Sequence, residues 1–162
     1  MLLRHDGGVE VADADTTHCA EILAVVHAAF AAYEGKLVPG SGALRETVET
    51  LRDRLVSERA AIAVSGGRIV GAAFYRRGAD NVYVGRLAVL PEFRGRGIAG
   101  RLIAHIESFA RRTGVPALSL KVRIALPDNI RLFTRLGFRE VSRDAHPGFA
   151  APTSIRMEKR LD

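Results

Sequence analysis

With 162 residues, 48% of them apolar and 26% charged, the chain has the size and composition of one folded domain with a hydrophobic core, which excludes a disordered segment. The net charge of +6 is unevenly placed: Met1–Gly85 carries 9 basic and 11 acidic side chains, net −2, whereas Arg86–Asp162 carries 15 and 7, net +8. The excess is mostly Arg, spread singly, and aromatics make up only 6% with no Trp, so it suits the phosphates of a small ligand and no nucleic-acid partner is expected. A single cysteine, Cys19, excludes an internal disulfide, and no CxxC or His/Cys spacing points to a metal. The start MLLRHDGG has no secretory apolar segment, and the apolar stretch Ile22–Ala32 is too short to span a bilayer. A cytoplasmic protein without a membrane partner is the expectation.

Val9–Ala12 reads as a first strand. Thr16 or Thr17 can cap a helix whose Ile22, Val25, Val26, Ala29, Phe30 and Tyr33 form an apolar stripe. After the breaker run Gly35–Gly42, Ser41 is placed to cap a second helix with Leu44, Val48, Leu51 and Leu55 on one face. Ala60–Val64, the turn Ser65-Gly66-Gly67-Arg68 and Ile69–Arg76 make a hairpin signature, and Val82–Val89 follows as a third antiparallel strand ended by Pro91. From Ile98 the period becomes helical through Leu102, Ile106 and Phe109, until Gly114-Val115-Pro116. Leu118, Leu120, Val122 and Ile124 alternate as a strand. Pro127-Asp128-Asn129 opens a short helix with Ile130, Phe133 and Leu136 inward. Strands around Phe138–Arg143 and Thr153–Met157 close the chain. The order predicts a mixed sheet covered by helices in one domain, residues 1–162.

The most informative segment is Leu87-Ala88-Val89-Leu90-Pro91-Glu92-Phe93-Arg94-Gly95-Arg96-Gly97-Ile98-Ala99, a strand leading into a helix through Gly and Arg. Gly95 and Gly97 let the backbone turn tightly and approach a ligand. The first helical amides at Gly97–Gly100 have no intrahelical acceptor and can grip an anion, with Arg94 and Arg96 beside them. A pyrophosphate fits this arrangement. A P-loop is absent, and although Gly95, Gly97 and Gly100 meet the bare GxGxxG spacing, three antiparallel strands upstream are the wrong setting for a dinucleotide fold.

This segment resembles motif A of the GNAT superfamily of N-acetyltransferases, Arg/Gln-x-x-Gly-x-Gly/Ala, with Arg94, Gly97 and Ala99 at its fixed positions. LPDNIRLFTRLGFRE resembles the family's second signature through Asn129, Phe133, Gly137 and Phe138. The resemblance covers Val9 to Met157. It implies an α/β fold of mixed α+β type, a mostly antiparallel sheet of six to seven strands flanked by four helices. It also implies acetyl-CoA as co-substrate and an amine as acceptor. Amides of Arg96, Gly97, Ala99 and Gly100, with Gly95 nearby, would take the pyrophosphate. The stretch Leu87, Ala88 and Val89 would hold the pantetheine, through backbone groups of Leu87 and Val89, where its strand splays from the one holding Leu118–Val122. A homodimer through the late strands is an expectation of the same kind.

In such a reaction a neutral amine attacks the thioester, the charge developing on the carbonyl oxygen needs an N–H donor, and a base or water chain must take a proton. The family's usual general acid is a tyrosine on the last helix, where this chain has Phe133, so no acid role falls to that residue, and the resemblance leaves it a cofactor-binding position. A thiol of pKa roughly 8.5 still leaves tolerably as thiolate. Asn129 either contacts the cofactor or caps the short helix. Tyr83 stands where some relatives carry Glu; it lines the cleft and orients water, or is an aromatic strand residue. Glu34 and Tyr33 stand where relatives bind the acceptor, or are solvated helix-end residues. His146, Tyr75 and Asp80 are further candidates without a motif. Arg131 and Arg135 either approach the adenosine 3′-phosphate or form a solvated helix face. Asp144–Phe149 is either a substrate loop or a wide hairpin connection. Cys19 reads as a core residue. A non-catalytic acyl-CoA-binding sensor is the alternative that the missing tyrosine leaves open.

Overall fold

A computed structural model describes residues 8–162, so most of the MLLRHDGG start lies outside the described residues. Seven strands, β1 (Val9–Asp13), β2 (Arg59–Ser65), β3 (Arg68–Arg77), β4 (Val82–Val89), β5 (Ala117–Arg123), β6 (Arg139–Asp144) and β7 (Ser154–Arg160), share one sheet in the order β1-β2-β3-β4-β5-β7-β6. Four α-helices accompany them: α1 (Cys19–Phe30), α2 (Val48–Ser57), α3 (Ile98–Arg112) and α4 (Pro127–Arg135). The sheet is mixed and mostly antiparallel, the expected fold class. The chain forms two compact units, Met1–Arg76 with Arg86–Ile106, and Arg77–Gly85 with Glu107–Asp162.

In the first unit β1 runs antiparallel to β2, from Val9 opposite Ser65 to Asp13 opposite Ala61. The β2–β3 hairpin turns through Gly66 and Gly67 at φ of +57° and +79°, the pair of left-handed residues that a two-residue turn of this hand requires. Ala60–Ala63 and Ile69–Tyr75 are buried without alternation, as strands covered on both faces must be. Gly71 lets α3 seat closely on β3, since a Cβ there would lie 3.0 Å from Ile98 Cγ2 and 3.3 Å from the Ala88 carbonyl. That close approach fixes where α3 begins.

The helix starts differ from the sequence expectation. Asp15, not Thr16 or Thr17, caps a 3-10 turn at Thr16–His18 that precedes α1, its carboxylate accepting from the Thr17 amide at 2.9 Å. Ser41 caps only a second 3-10 turn, Gly42–Arg45, while Thr47 starts α2 by a reciprocal exchange with Thr50. Tyr33 falls outside α1, in a 3-10 turn at Ala31–Tyr33.

In the second unit β4 pairs in parallel with β5 through Val82 opposite Leu118 and Tyr83 opposite Ser119. β5 and β7 pair antiparallel along their whole length, from Ala117 opposite Arg160 to Arg123 opposite Ser154, and β6 adds to the far side of β7. Ser119 Oγ donates to Asn81 Oδ1 at 2.7 Å, tying the turn before β4 to β5.

Candidate functional site

β4 delivers its last residues alternately: Ala88 is buried, Leu87 and Val89 are half-buried. The chain then makes a 3-10 turn at Pro91–Phe93, and the hydrogen bonds of that turn stop with Phe93 N–H to Leu90 O (2.9 Å) and Arg94 N–H to Pro91 O (3.3 Å). Gly95 and Gly97 follow in the left-handed region at φ of +78° and +76°, where a side chain would be strained although a Cβ would meet nothing within 4 Å. The Gly97 carbonyl accepts the Arg101 N–H at 3.1 Å, which makes Gly97 the residue flanking α3. The amides of Ile98, Ala99 and Gly100 thus lie ahead of the first helical bond, and among the described residues no acceptor meets those of Gly95, Arg96 or Gly97. Arg94 to Gly97 are exposed. The turn is an open set of donors at the positive end of a helix, the chemistry that suits a phosphate.

The two arginines of the turn divide the work. Arg94 Nη2 donates to the Ala29 carbonyl at 2.9 Å, satisfying an orphan acceptor in the last turn of α1 and holding the loop to that helix. Arg96 lies over the Phe93 ring, 4.7 Å from its centroid, and stays exposed at the mouth of the turn.

A charged cluster that sequence inspection missed lies in the same unit. Glu46 is 7% exposed, and its carboxylate accepts from Arg54 Nε (2.7 Å), Arg86 Nε (2.9 Å) and Thr50 Oγ1 (2.8 Å). Burial pushes this carboxyl up, but hydrogen bonds from Arg86, Thr50 and Arg54 and the charge of Arg54 outweigh it and hold the pKa below the usual range. Arg86 sits inside β4 at φ +52°, a left-handed conformation that costs a non-glycine residue about 1–3 kcal/mol and persists only where its surroundings over-determine it. The Glu46 bond supplies that constraint. No local pattern flags the pair, because its members come from a short turn and a strand.

Other candidates in this unit have simpler settings. Glu34 is exposed after the Ala31–Tyr33 turn, and Tyr33 packs edge-on against Phe30 at 5.8 Å. Tyr75 is fully buried and donates to Asp13 Oδ1 at 2.6 Å, where His105 Nε2 also meets that oxygen at 3.0 Å. This joins β1, β3 and α3. Cys19 is 1% exposed, with burial raising its thiol pKa, as befits a core residue.

The second unit holds Tyr83, Asn129, Phe133 and His146. Tyr83 is half-buried on β4. Asn129 lies within the first turn of α4, whose N-cap position is Leu126, so Asn129 is not the cap; among the described residues its side-chain amide has no hydrogen-bond partner. Phe133 is 8% exposed and meets Phe138 edge to face, ring centroids 5.8 Å apart, so packing accounts for it. Arg131 pairs with Asp128 on the exposed side of α4, and Asp80 is exposed in the turn before β4. His146 Nδ1 contacts Thr153 Oγ1, which also accepts the His146 amide at 3.0 Å. Burial, then the charges of Arg123 and Lys121, lower the His146 pKa, favouring neutral imidazole.

The family model for the acetyltransferase (GNAT) family matches residues 39–138. Among solved structures the chain is similar to the PaiA N-acetyltransferase of Thermoplasma acidophilum in complex with coenzyme A, 17% identical, covering 94% of this chain and 99% of that one at a TM-score of 0.80. The ribosomal-protein-S18-alanine N-acetyltransferase of Escherichia coli is 19% identical, with 94% of each chain covered and a TM-score of 0.75. The IAA acetyltransferase of Bacillus cereus ATCC 14579 is 16% identical, covering 94% of this chain and 99% of that one at 0.69. At these identities the likeness is one of fold. None of the curated proteins matches the chain in sequence. Matched over more than half its length by the family model, the chain belongs to the GNAT family, with acetyl-CoA-dependent acyl transfer as its general activity.

Proposed function

We propose that the chain is an N-acetyltransferase, a single acyltransferase domain that moves an acetyl group from acetyl-CoA to a primary amine by direct attack in a ternary complex. The observation that carries the proposal is the turn from Gly95 to Gly100, exposed over Gly95–Gly97, whose amides have no acceptor among the described residues. Those donors suit a pyrophosphate, and Arg96 adds charge at the rim. Leu87 and Val89, half-buried beside buried Ala88, are the strand residues proposed to meet the pantetheine arm.

Bound acetyl-CoA supplies the activated acyl carbon. The residues of the chain hold it, exclude water and manage protons: as the new C–N bond forms and the C–S bond breaks, sulfur leaves with the electron pair and the amine gives up a proton. His146, neutral and half-buried, is the proposed acceptor of that proton, with Tyr83 and Glu34 as further polar groups for the acceptor amine. Phe133 donates none. The second reading, a non-catalytic acyl-CoA-binding module, is favoured by one observation: the residue at the family's tyrosine position is packed into Phe138.

The test follows free thiol release from acetyl-CoA across amines of different size and charge. Amine-dependent release supports the transferase. Tight acetyl-CoA binding with no release across the panel supports the sensor instead.

A further inference from the structure

The Glu46 cluster leaves a cationic surplus on one side. The point that a Cβ on Gly42 would occupy lies 2.8 Å from Arg86 Nη2 and 3.7 Å from Arg45 Nη2, so the two guanidinium groups converge on one spot. Arg86 gives its Nε to Glu46, which leaves its Nη2 turned toward Gly42. Glu46 is already shared with Arg54, and Arg54 pairs in turn with Glu58 at 3.1 Å. Arg45 is exposed and has no carboxylate partner among the described residues. Like charges drawn together repel unless an anion bridges them, and the planar fork of a guanidinium matches the two oxygens of a carboxylate.

Gly42 is part of the device. Its φ is not left-handed, so the turn itself does not demand glycine there. What the missing side chain provides is room for the Arg86 guanidinium.

We infer that Arg45 and Arg86 bind a carboxylate on the acceptor, so that the acceptor is an amine that also carries an acid, such as an amino acid. The inference rests on the transferase proposal for its link to catalysis: Arg86 directly precedes Leu87, and an acceptor anchored on it by one end would present its amine beside the strand proposed to hold the thioester arm. The rival source of the anion is a phosphate of the cofactor itself.

The experiment separates these. N-acetylglycine, which keeps the carboxylate, and N-acetylglycinamide, which lacks it, are titrated into the full chain by NMR, with the arginine Nε–H signals observed; coenzyme A is titrated in parallel. N-acetylglycine is expected to bind at least tenfold more tightly than the amide. Arg45→Gln, at an exposed position outside the Glu46 bonds, should remove that preference and leave coenzyme A affinity within twofold. Gly42→Ala should do the same by displacing the flexible end of Arg86 while the protein stays folded. Equal binding of the two probes overturns the inference, as does an R45Q variant that loses affinity for coenzyme A and not for N-acetylglycine. Thiol release distinguishes the two proposals: turnover of amines with no preference for a carboxylate sinks the inference alone. Arg45-dependent N-acetylglycine binding without turnover of any amine sinks the transferase and leaves the anion site.

Discussion

Glu46 and Arg86 are 40 residues apart in the chain, yet the Arg86 Nε donates to the buried Glu46 carboxylate at 2.9 Å. Removing the carboxylate leaves Arg86 and Arg54 without their shared counter-charge and frees a left-handed residue inside β4. Glu46→Gln is expected to cost about 3 kcal/mol, in the range for breaking a buried pair from one side. Urea unfolding at neutral pH measures it; a loss below about 0.5 kcal/mol would show the cluster to be ornamental.

The same pair has a pH signature. The folded pKa of Glu46 lies below its ordinary value, so the native state binds fewer protons than the unfolded chain. Its contribution is therefore complete above about pH 4.3 and is lost as pH falls through the lower folded value. The stability gap between wild type and E46Q should stay constant from pH 7 to about 5 and shrink below 4.3. Asp13, whose pKa is also lowered, is present in both proteins and cancels from the difference. A gap that widened in acid would reverse the sign of the assignment.

Gly97 and Gly66 provide a matched comparison. Both are left-handed, at φ +76° and +57°, and in both a Cβ would meet nothing within 4 Å. Alanine at either should cost about 1 kcal/mol through backbone strain alone. Only Gly97→Ala should weaken coenzyme A binding, by tenfold or more in calorimetric titration, because only that turn opens onto the first amides of a helix. Equal affinities in G97A and G66A would detach the turn from the ligand.

Lys121 tunes His146. Burial comes first among the causes that lower this imidazole, then the charges of Arg123 and Lys121. The stability tied to neutral His146 is present above pH about 6.5 and is lost as pH falls through the lower folded value. Lys121→Gln removes one repelling charge and should move the NMR titration midpoint of His146 upward, toward 6.5. With His146 as the base, the acid limb of kcat/KM moves up with it. A midpoint shift without a matching shift in the rate profile would assign the base elsewhere.

Phe133 is accounted for by packing. Phe133→Ala should cost about 3–5 kcal/mol as a core truncation, and Phe133→Leu less, because it leaves a smaller void beside Phe138. Coenzyme A affinity in F133L should remain within twofold of wild type; a tenfold loss would make the ring a ligand contact.

How far these features are legible in the sequence depends on how local their causes are. The β2–β3 hairpin was readable from Gly66-Gly67, and β4 and α3 from a change of period around Pro91 and Gly97, because each signal lies within a few residues. The starts of α1 and α2 were not. Thr16 and Thr17 read as caps but Asp15 takes that place, and short 3-10 turns at Thr16–His18 and Gly42–Arg45 shift the true helix starts. Asn129 reads equally as a cap or a ligand group, and the fold puts Leu126 at the capping position. Glu46 gave no warning: a Glu between Arg and Thr reads as a solvated face, and only the fold brings Arg86 to it.

The most direct test is an amide NMR titration of the full chain with coenzyme A. The largest changes should fall on Arg96, Gly97, Ala99 and Gly100, with Gly95 beside them and smaller shifts at Leu87 and Val89. Binding that leaves the amides of 95–100 unmoved, or no binding at millimolar coenzyme A, would contradict the assignment of that turn as the cofactor grip.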